Sequence, residues 1–599
     1  MKKLLLSIFA LGVLGSSYAE NVLQNVYSRE CISLNGLWNY QVDPFDNGYY
    51  DYRLQPSPNG FFKNQKPKDK TELVEYNLDT APTMYVPGDW NTQDDMLFYY
   101  EGSVWFKRDF EFSKQGDNKT FLYFGAVNYF CNVYLNGEQI GTHEGGFTPF
   151  NFDVTDKLKE GKNFLVVRVN NTRKPENVPT VNSDWWNYGG ITRDVMLVNV
   201  PKVYIDDYSI QLPKGENNRI VGYVQLNEKA SRSVVVEIPE LKIKQSLQTN
   251  ADGKAEFSVK AKPTLWSPEN PKLYEVTITC GKETIEDKIG FRTIEVQGKK
   301  LLVNGKETFL RGISIHEEAP YRAGRVTSRE EAVVLLTWAK ELGCNFVRLA
   351  HYPHNEYMVR AAEEMGFFIW SEIPVYWTIH WGNPTTYANA EKQLVDMIAR
   401  DKNRCGIIVW SIANETPHSD ARDSFLKNLS QKARQMDNTR LISMAMEVTG
   451  IQNGVGHVAD NMNEYVDIVS FNNYLGWYGG TLDDLKTTNW EIPYNKPFFI
   501  SEFGGGALQG LHGDKDTRWS EEYQDELYKN TLEMYERQEG WIGTSPWILM
   551  DFRSARRQLA GIQDFYNRKG LISNRGIKKK AFFTLQSFYK KKAEEYKNK

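Results

Sequence analysis

A rhythm that runs from residue 299 to the end of the chain limits the fold more than any other feature. Short apolar runs, "FLRGISIHE", "NFVRLAHY", "FFIWSEIP", "IIVWSIANE", "LISMAM", "DIVSFNNY", "FFISEFG" and "SPWILMDF", alternate with helical patterns such as "SREEAVVLLTWAKELG" and "NEYMVRAAEEMG". Strands this apolar must be covered on both faces, and helices between them provide the cover. Eight such units over residues 299–599 predict a (β/α)8 TIM barrel at the C-terminal end.

Ahead of the barrel the period drops to two. In "CNVYLNGEQIG", Val133 and Leu135 share a face and Asn136-Gly137 supplies a hairpin turn; "NFLVVRVNN" repeats the alternation. Residues 20–200 are therefore expected to form an N-terminal, jelly-roll-like, sugar-binding-like β-sandwich. Residues 201–298, with "RSVVVEIPEL", "KAEFSVKA" and "LYEVTITCGKET", have the strand spacing of a small Ig-like β-sandwich and are read as a spacer. The opening "MKKLLLSIFALGVLGSSYAE" has a basic start, an apolar stretch from Leu4 to Leu14 and a small-residue end at Ser17-Tyr18-Ala19. That is the pattern of a signal peptide over residues 1–19, too short to span a bilayer. An exported protein is expected, periplasmic or secreted, with no membrane span.

A net charge of −4 spread over 599 residues leaves no basic face for nucleic acid. Sixteen Trp and 33 Tyr favour a sugar, whose faces suit flat rings with polar edges. The five cysteines, Cys31, Cys131, Cys280, Cys344 and Cys405, include no C-x-x-C pair and are expected as buried free thiols. His351 and His354 have no ligand set beside them, so neither a metal nor any other cofactor is expected.

In a barrel of this kind, chemistry belongs at the C-terminal strand ends. "WSIANE" ends strand four at Glu415 and "FISEFG" ends strand seven at Glu502, 87 residues apart, which is three βα units of about 29 residues. Two carboxylates across a barrel mouth can cut a glycosidic bond, one protonating the leaving oxygen and the other attacking the anomeric carbon. Glu415 is assigned as general acid and base, with Asn414 beside it to bond the sugar 2-hydroxyl, and Glu502 as nucleophile.

The domain order, with "RLAHYPHNEY", "WSIANE", "FNNYLGWY" and "SEFGGGA", resembles glycoside hydrolase family two over nearly the whole mature chain. The resemblance implies a retaining mechanism and puts Tyr474 beside the nucleophile. In "QDFYNRKG", Asn567 and Lys569 match the Asn-x-Lys motif of the bacterial β-glucuronidase branch, where an ammonium meets the carboxylate of a terminal uronic acid. It further implies that Asp184, from "NSDWWNYGGITRDV", Trp547 and His316 touch the substrate; Arg348 stands equally as contact or structural cation. The connection after strand three is short where some members carry a covering loop, which predicts an open mouth that admits longer glycans. A β-galactosidase or β-galacturonidase of the same family, or a non-catalytic glycan-binding protein, are the alternatives, and a homo-oligomer stays open. Binding alone would not require Glu415 and Glu502 together with Asn414 and Tyr474.

Overall fold

The computed structural model describes residues 22–72, 74, 76–448 and 450–597. The expected signal peptide, residues 1–19, lies outside the described residues. Among the described residues no helix is long and apolar enough to cross a membrane.

The N-terminal sandwich packs a four-stranded sheet on a six-stranded one. The first has the order Glu30–Ser33, Val195–Val200, Lys119–Phe124, Phe150–Asp153, and the second Thr83–Val86, Gly36–Asp43, Ser103–Phe112, Gly161–Asn170, Phe130–Leu135, Glu138–Glu144. Trp38, Phe106, Phe124, Val133, Leu135 and Val167 fill the space between them, one residue in two along each strand, as the period demands. Asn136 and Gly137 sit at φ 53° and 87°, the left-handed pair that a tight hairpin needs and that this dipeptide tolerates best. Four cysteines are buried as expected. Cys31 corrects that expectation: it is exposed, on the edge strand Glu30–Ser33, whose four residues all face solvent.

The Ig-like sandwich sets Ile205–Gln211, Arg219–Leu226 and Lys254–Lys260 against a four-stranded sheet whose inner pair is Ser233–Ile238 and Tyr274–Cys280. Passage to the barrel, expected at residue 298, runs through a ribbon of Ile294–Gln297, Lys300–Val303 and Lys306–Glu307. Ile294, Leu301 and Val303 from this ribbon join Phe346, Phe368, Trp370 and Phe499 in one buried cluster. The lower end of the barrel is thereby plugged.

Eight parallel strands close the barrel: β1 Leu310–Ile315, β2 Phe346–Leu349, β3 Phe368–Glu372, β4 Ile407–Asn414, β5 Leu441–Met446, β6 Val469–Asn472, β7 Phe498–Glu502 and β8 Trp541–Thr544. Around them run α1 Arg329–Glu341, α2 Glu356–Glu364, α3 Pro384–Asp401, α4 Asp420–Met436, the short α5 Asp484–Thr487, α6 Glu521–Glu536 and α7 Lys580–Tyr596. The first is punctuated in the sequence: the Ser328 side chain accepts from the Glu331 N–H, and Gly343 follows at φ 91°, a capped start and a glycine stop. Between β5 and β6 the chain makes the hairpin Gly450–Gln452/Val455–His457 and a 3-10 turn, Asn461–Glu464, instead of an α-helix.

Strand eight is corrected by one short step. The expected run "SPWILMDF" begins just after β8, which instead pairs Gly543 and Thr544 with Leu310 and Arg311 of β1. Pro546 has no N–H for a ladder, so "WILM" becomes a loop, tied to β1 by Leu549 N–H donating to Ser314 O at 3.0 Å. Trp547 therefore stands beyond the strand, over the mouth.

Candidate active site

The mouth is built on a buried cation. Arg348, fully buried inside β2, donates to Glu502 Oε1 at 2.6 Å, to Glu372 Oε1 at 3.1 Å and to Asn414 Oδ1 at 2.8 Å. Small residues line the barrel interior as well: Ser314 of β1 and Ser545, just past β8, bond each other at 2.7 Å, and Ser443 of β5 and Ser470 of β6 at 2.9 Å. Burial presses the guanidinium down, but Glu372 and Glu502 more than reverse that and raise it. Glu372 ends β3 and also takes His351 Nδ1 at 3.0 Å and Trp370 Nε1 at 2.8 Å. Burial pushes its carboxyl up, yet Arg348 and His351 outweigh it and hold the group at about 2.

Above this base stand the two glutamates, in different surroundings. Glu502, the last residue of β7, accepts from Arg348 on Oε1 and from Tyr474 Oη on Oε2 at 2.6 Å; His351 Nε2 lies 3.7 Å from Oε1. Glu415 follows β4 at φ 50°, a strain of about 1–2 kcal/mol for a residue with a side chain. Its N–H donates to Ala445 O at 2.9 Å, which helps fix that turn. Among the described residues its carboxylate takes neutral donors only, Trp377 Nε1 at 2.8 Å and Asn472 Nδ2 at 2.9 Å. Burial, and next the charge of Glu502, raise its pKa above the ordinary carboxyl value. One carboxylate is thus backed by a cation and the other is biased towards its protonated form, the split an acid and a nucleophile require.

Both glutamates line one cavity of about 320 Å³ together with Asp184, Tyr474, Trp547 and Lys569, a size suited to a small ligand. Lys569 is 4 % exposed; its Nζ donates to Tyr478 Oη at 2.6 Å and lies 4.6 Å from the Tyr478 ring centre and 5.4 Å from that of Tyr474. Among the described residues no carboxylate comes within 4.0 Å of it. Its backbone is clamped between two loops: Ile548 N–H donates to Lys569 O at 3.2 Å and Ala507 N–H to Arg568 O at 2.9 Å. A Cβ on Gly570 would meet Asp551 N at 2.1 Å, so glycine alone lets this strand of chain lie against the loop after β8. Beneath, Lys579 and Asp551 pair at 2.7 Å with both side chains fully buried. "NRKG" is a wedged segment, not a solvated turn.

Three predicted residues are not among those lining this cavity. Asn414 is buried, its Oδ1 occupied by Arg348 and its Nδ2 without a hydrogen-bond partner; such an orphaned donor is costly unless something meets it. Asn567 donates from Nδ2 to Asp184 Oδ2 at 3.1 Å, which leaves one amide hydrogen free. His316 does not line the cavity: Nδ1 faces Tyr352 Oη at 3.0 Å, and the ring packs on Phe552 at 4.3 Å and Trp547 at 5.1 Å. Burial, then His351, pushes its pKa well below the usual value, so it is neutral. Asp184 reaches in from the N-terminal sandwich and is anchored by Ser554 Oγ at 2.6 Å and Arg557 Nε at 2.9 Å.

The sequence points to no site role for Glu372, Tyr376, Trp377, Tyr478, Arg556 and Arg557, and His351 is weighed there only as a metal ligand. For Glu372 a signal existed: "FFIWSEIP" carries a third strand-end glutamate. For Arg556 and Arg557 none did, since "SARRQ" reads as an ordinary basic loop.

Three family descriptions match consecutive parts of the chain: "Glycosyl hydrolases family 2, sugar binding domain" at residues 31–201, "Glycosyl hydrolases family 2" at 203–292, and "Glycosyl hydrolases family 2, TIM barrel domain" at 294–593. A β-glucuronidase of Rattus norvegicus is 29% identical over 623 residues, covering 95% of this chain and 92% of the relative. Among solved structures, a β-glucuronidase from an uncultured Clostridium sp. superposes with a TM-score of 0.80 at 27% identity, covering 96% of this chain and 100% of that one. A β-galacturonidase from Eisenbergiella tayi bound to galacturonate gives 0.78 at 24%, covering 95% and 98%, a likeness of fold.

Proposed function

Because this chain belongs to glycosyl hydrolase family 2, we propose that it is a retaining exo-β-glucuronidase, removing terminal β-D-glucuronic acid from glycans or conjugates. The observation that carries the choice of sugar is Lys569: a buried ammonium, in the same cavity as Glu415 and Glu502, with no carboxylate of the described residues within 4.0 Å to neutralise it. A neutral hexose would leave it so, whereas the C6 carboxylate of a uronic acid completes a charge-assisted bond. The matching names of relatives support the same reading.

In the first step Glu502 attacks the anomeric carbon as the bond to the leaving oxygen breaks, and Glu415 gives its proton to that oxygen. A glycosyl ester on Glu502 results. Tyr474 Oη and Arg348 hold the attacking carboxylate in place, and the free Nδ2 of Asn414 is the donor for the 2-hydroxyl. In the second step a water attacks the same carbon while Glu415 takes its proton back, releasing glucuronic acid and free Glu502. Asp184, Trp547 and Asn567 shape the sugar site. His316 acts only through Trp547 and Tyr352. Export is proposed on the Met1–Ala19 segment alone.

The test is a 2-deoxy-2-fluoro-glucuronyl fluoride, which forms the ester but hydrolyses it slowly. Mass spectrometry should find the label on the peptide carrying Glu502. A label elsewhere, or none with full inhibition, removes Glu502 as nucleophile. Aryl β-glucuronide, β-galacturonide, β-galactoside and β-mannoside, assayed side by side, test the sugar, since Lys569 reads the carboxylate and not the C4 configuration.

A further inference from the structure

Two guanidinium groups near the mouth have no part in the chemistry above. Arg173, from the sandwich, donates from Nε to Asn187 Oδ1 at 3.0 Å and from Nη1 to Ser183 Oγ at 3.1 Å and Thr180 O at 3.2 Å. All three acceptors are neutral. Arg556, from the loop after β8, donates to Asn182 Oδ1 and lies 4.9 Å from the ring centre of Trp377, the residue bonded to Glu415. Among the described residues neither has a carboxylate within 4.0 Å. The nearby acids are engaged elsewhere: Asp184 by Arg557, and Glu101 by Asn187 Nδ2 at 3.0 Å. Burial pushes Arg173 down to about 10, with Glu101 offsetting only part of that.

These cations are joined by open space. A cavity of about 250 Å³ is lined by Arg173, Asn182, Tyr99 and Arg556, with Glu101, held by Asn187 Nδ2, also in its wall. Arg556 also lines the glutamate cavity, and Asn182 also lines a third one that opens beside Glu415 and Trp377. The path therefore leaves the site on the side of Glu415, where the departing group must go. Tyr99 offers a ring 63% exposed, backed by Trp186 at 5.7 Å and Phe565 at 5.6 Å. A held aromatic face beside unpaired guanidinium groups suits a ring that bears a negative charge.

We propose that the cleft from Trp377 past Arg556 to Arg173 is a subsite for an anionic sugar, carboxylate- or sulfate-bearing, on the leaving-group side of the scissile bond. It rests on the assignment of Glu415 as the acid of a uronidase, and it makes the preferred substrate a polyanionic glycan. Arginine forks bind either anion in the same way, so the two sources are separated by experiment.

The test compares kcat/KM on an aryl β-glucuronide with that on three matched oligosaccharides ending in β-glucuronic acid: neutral, sulfated, and carrying a second uronate beyond the cut. The protein as it stands should favour at least one anionic oligosaccharide over the neutral one by about tenfold or more, and the one favoured identifies the anion. Arg173→Gln should abolish that advantage and keep the aryl glucuronide within about twofold. Equal rates on anionic and neutral oligosaccharides, or an equal loss on the aryl glucuronide, overturn the proposal. Should Arg173→Gln not fold, the unmodified protein and Tyr99→Ala carry the test: the second should lose oligosaccharide turnover and keep the aryl substrate, and no such loss overturns the subsite. Absence of any turnover on the aryl glucuronide would strike the uronidase reading itself; normal turnover without anionic preference strikes only the subsite.

Discussion

Replacing Lys569 with Met keeps the side chain's length and bulk and removes its charge. In the free protein the ammonium donates to Tyr478 Oη at 2.6 Å and lies over the faces of Tyr478, Tyr474 and Trp477. A sugar carboxylate arriving at a similar distance, about 2.8 Å, would gain a Coulomb energy of about 6 kcal/mol at an effective dielectric of 20. Stripping water from the carboxylate and giving up the Tyr478 bond reduce that to a net of about 3–4 kcal/mol. kcat/KM on aryl glucuronides should therefore fall by two to three orders of magnitude. The carboxylate is remote from the bond being cut, so the contact is felt in ground and transition states alike, and the loss should appear mostly in KM. Turnover of a neutral aryl galactoside, however slow, should be unchanged. Stability should also hold, with a melting shift of no more than about 2 °C, because no ion pair is broken. Steady-state kinetics on the two substrates, with a thermal melt beside them, decide the matter. An equal loss on both sugars, or a large drop in melting temperature, would make Lys569 a structural residue and end the argument for a uronic acid.

The remaining predictions concern the two carboxylates whose ionisation the site alters. Glu372→Gln removes one of the two carboxylates that Arg348 holds, leaving Glu502, and should cost about 1–3 kcal/mol of stability, read as a lower melting temperature. Its folded pKa of about 2 lies below the ordinary 4.5, so this contribution is whole above pH 4.5 and is lost as pH falls towards 2. The variant's acid unfolding should accordingly begin from a lower stability and show a flatter pH dependence over that window; an unchanged melt at neutral pH would refute the role. Glu415 must be protonated for the first step, and its raised pKa keeps it so to higher pH. The alkaline limb of kcat/KM should sit above that of an ordinary carboxyl and vanish in Glu415→Gln assayed on a glucuronide with a good leaving group, which needs little protonation. A limb that persists in the variant belongs to another group.

Much of this protein is written locally. Alternation of period two, the Asn136-Gly137 turn and the Ser328–Gly343 helix signals depend on neighbours a few residues away, so the sandwiches and barrel follow from pattern alone. Strand ends are local too, and in a barrel they all open on one mouth; Glu415 and Glu502 could be singled out for that reason, whereas Tyr474 came from the family resemblance. Tertiary structure decided what no short window contains. Arg348 could be read only as contact or structural cation until β2, β3 and β7 closed around it and gave it Glu372 and Glu502. Asp184 meets Arg557 across more than 370 positions of chain, |i−j| = 373, and His316, placed at a strand end like the others, is turned behind Trp547. The physical reason is the range of the forces: hydrophobic periodicity is felt within one element, whereas a buried charge is settled by whichever partners the closed fold brings within a few ångströms.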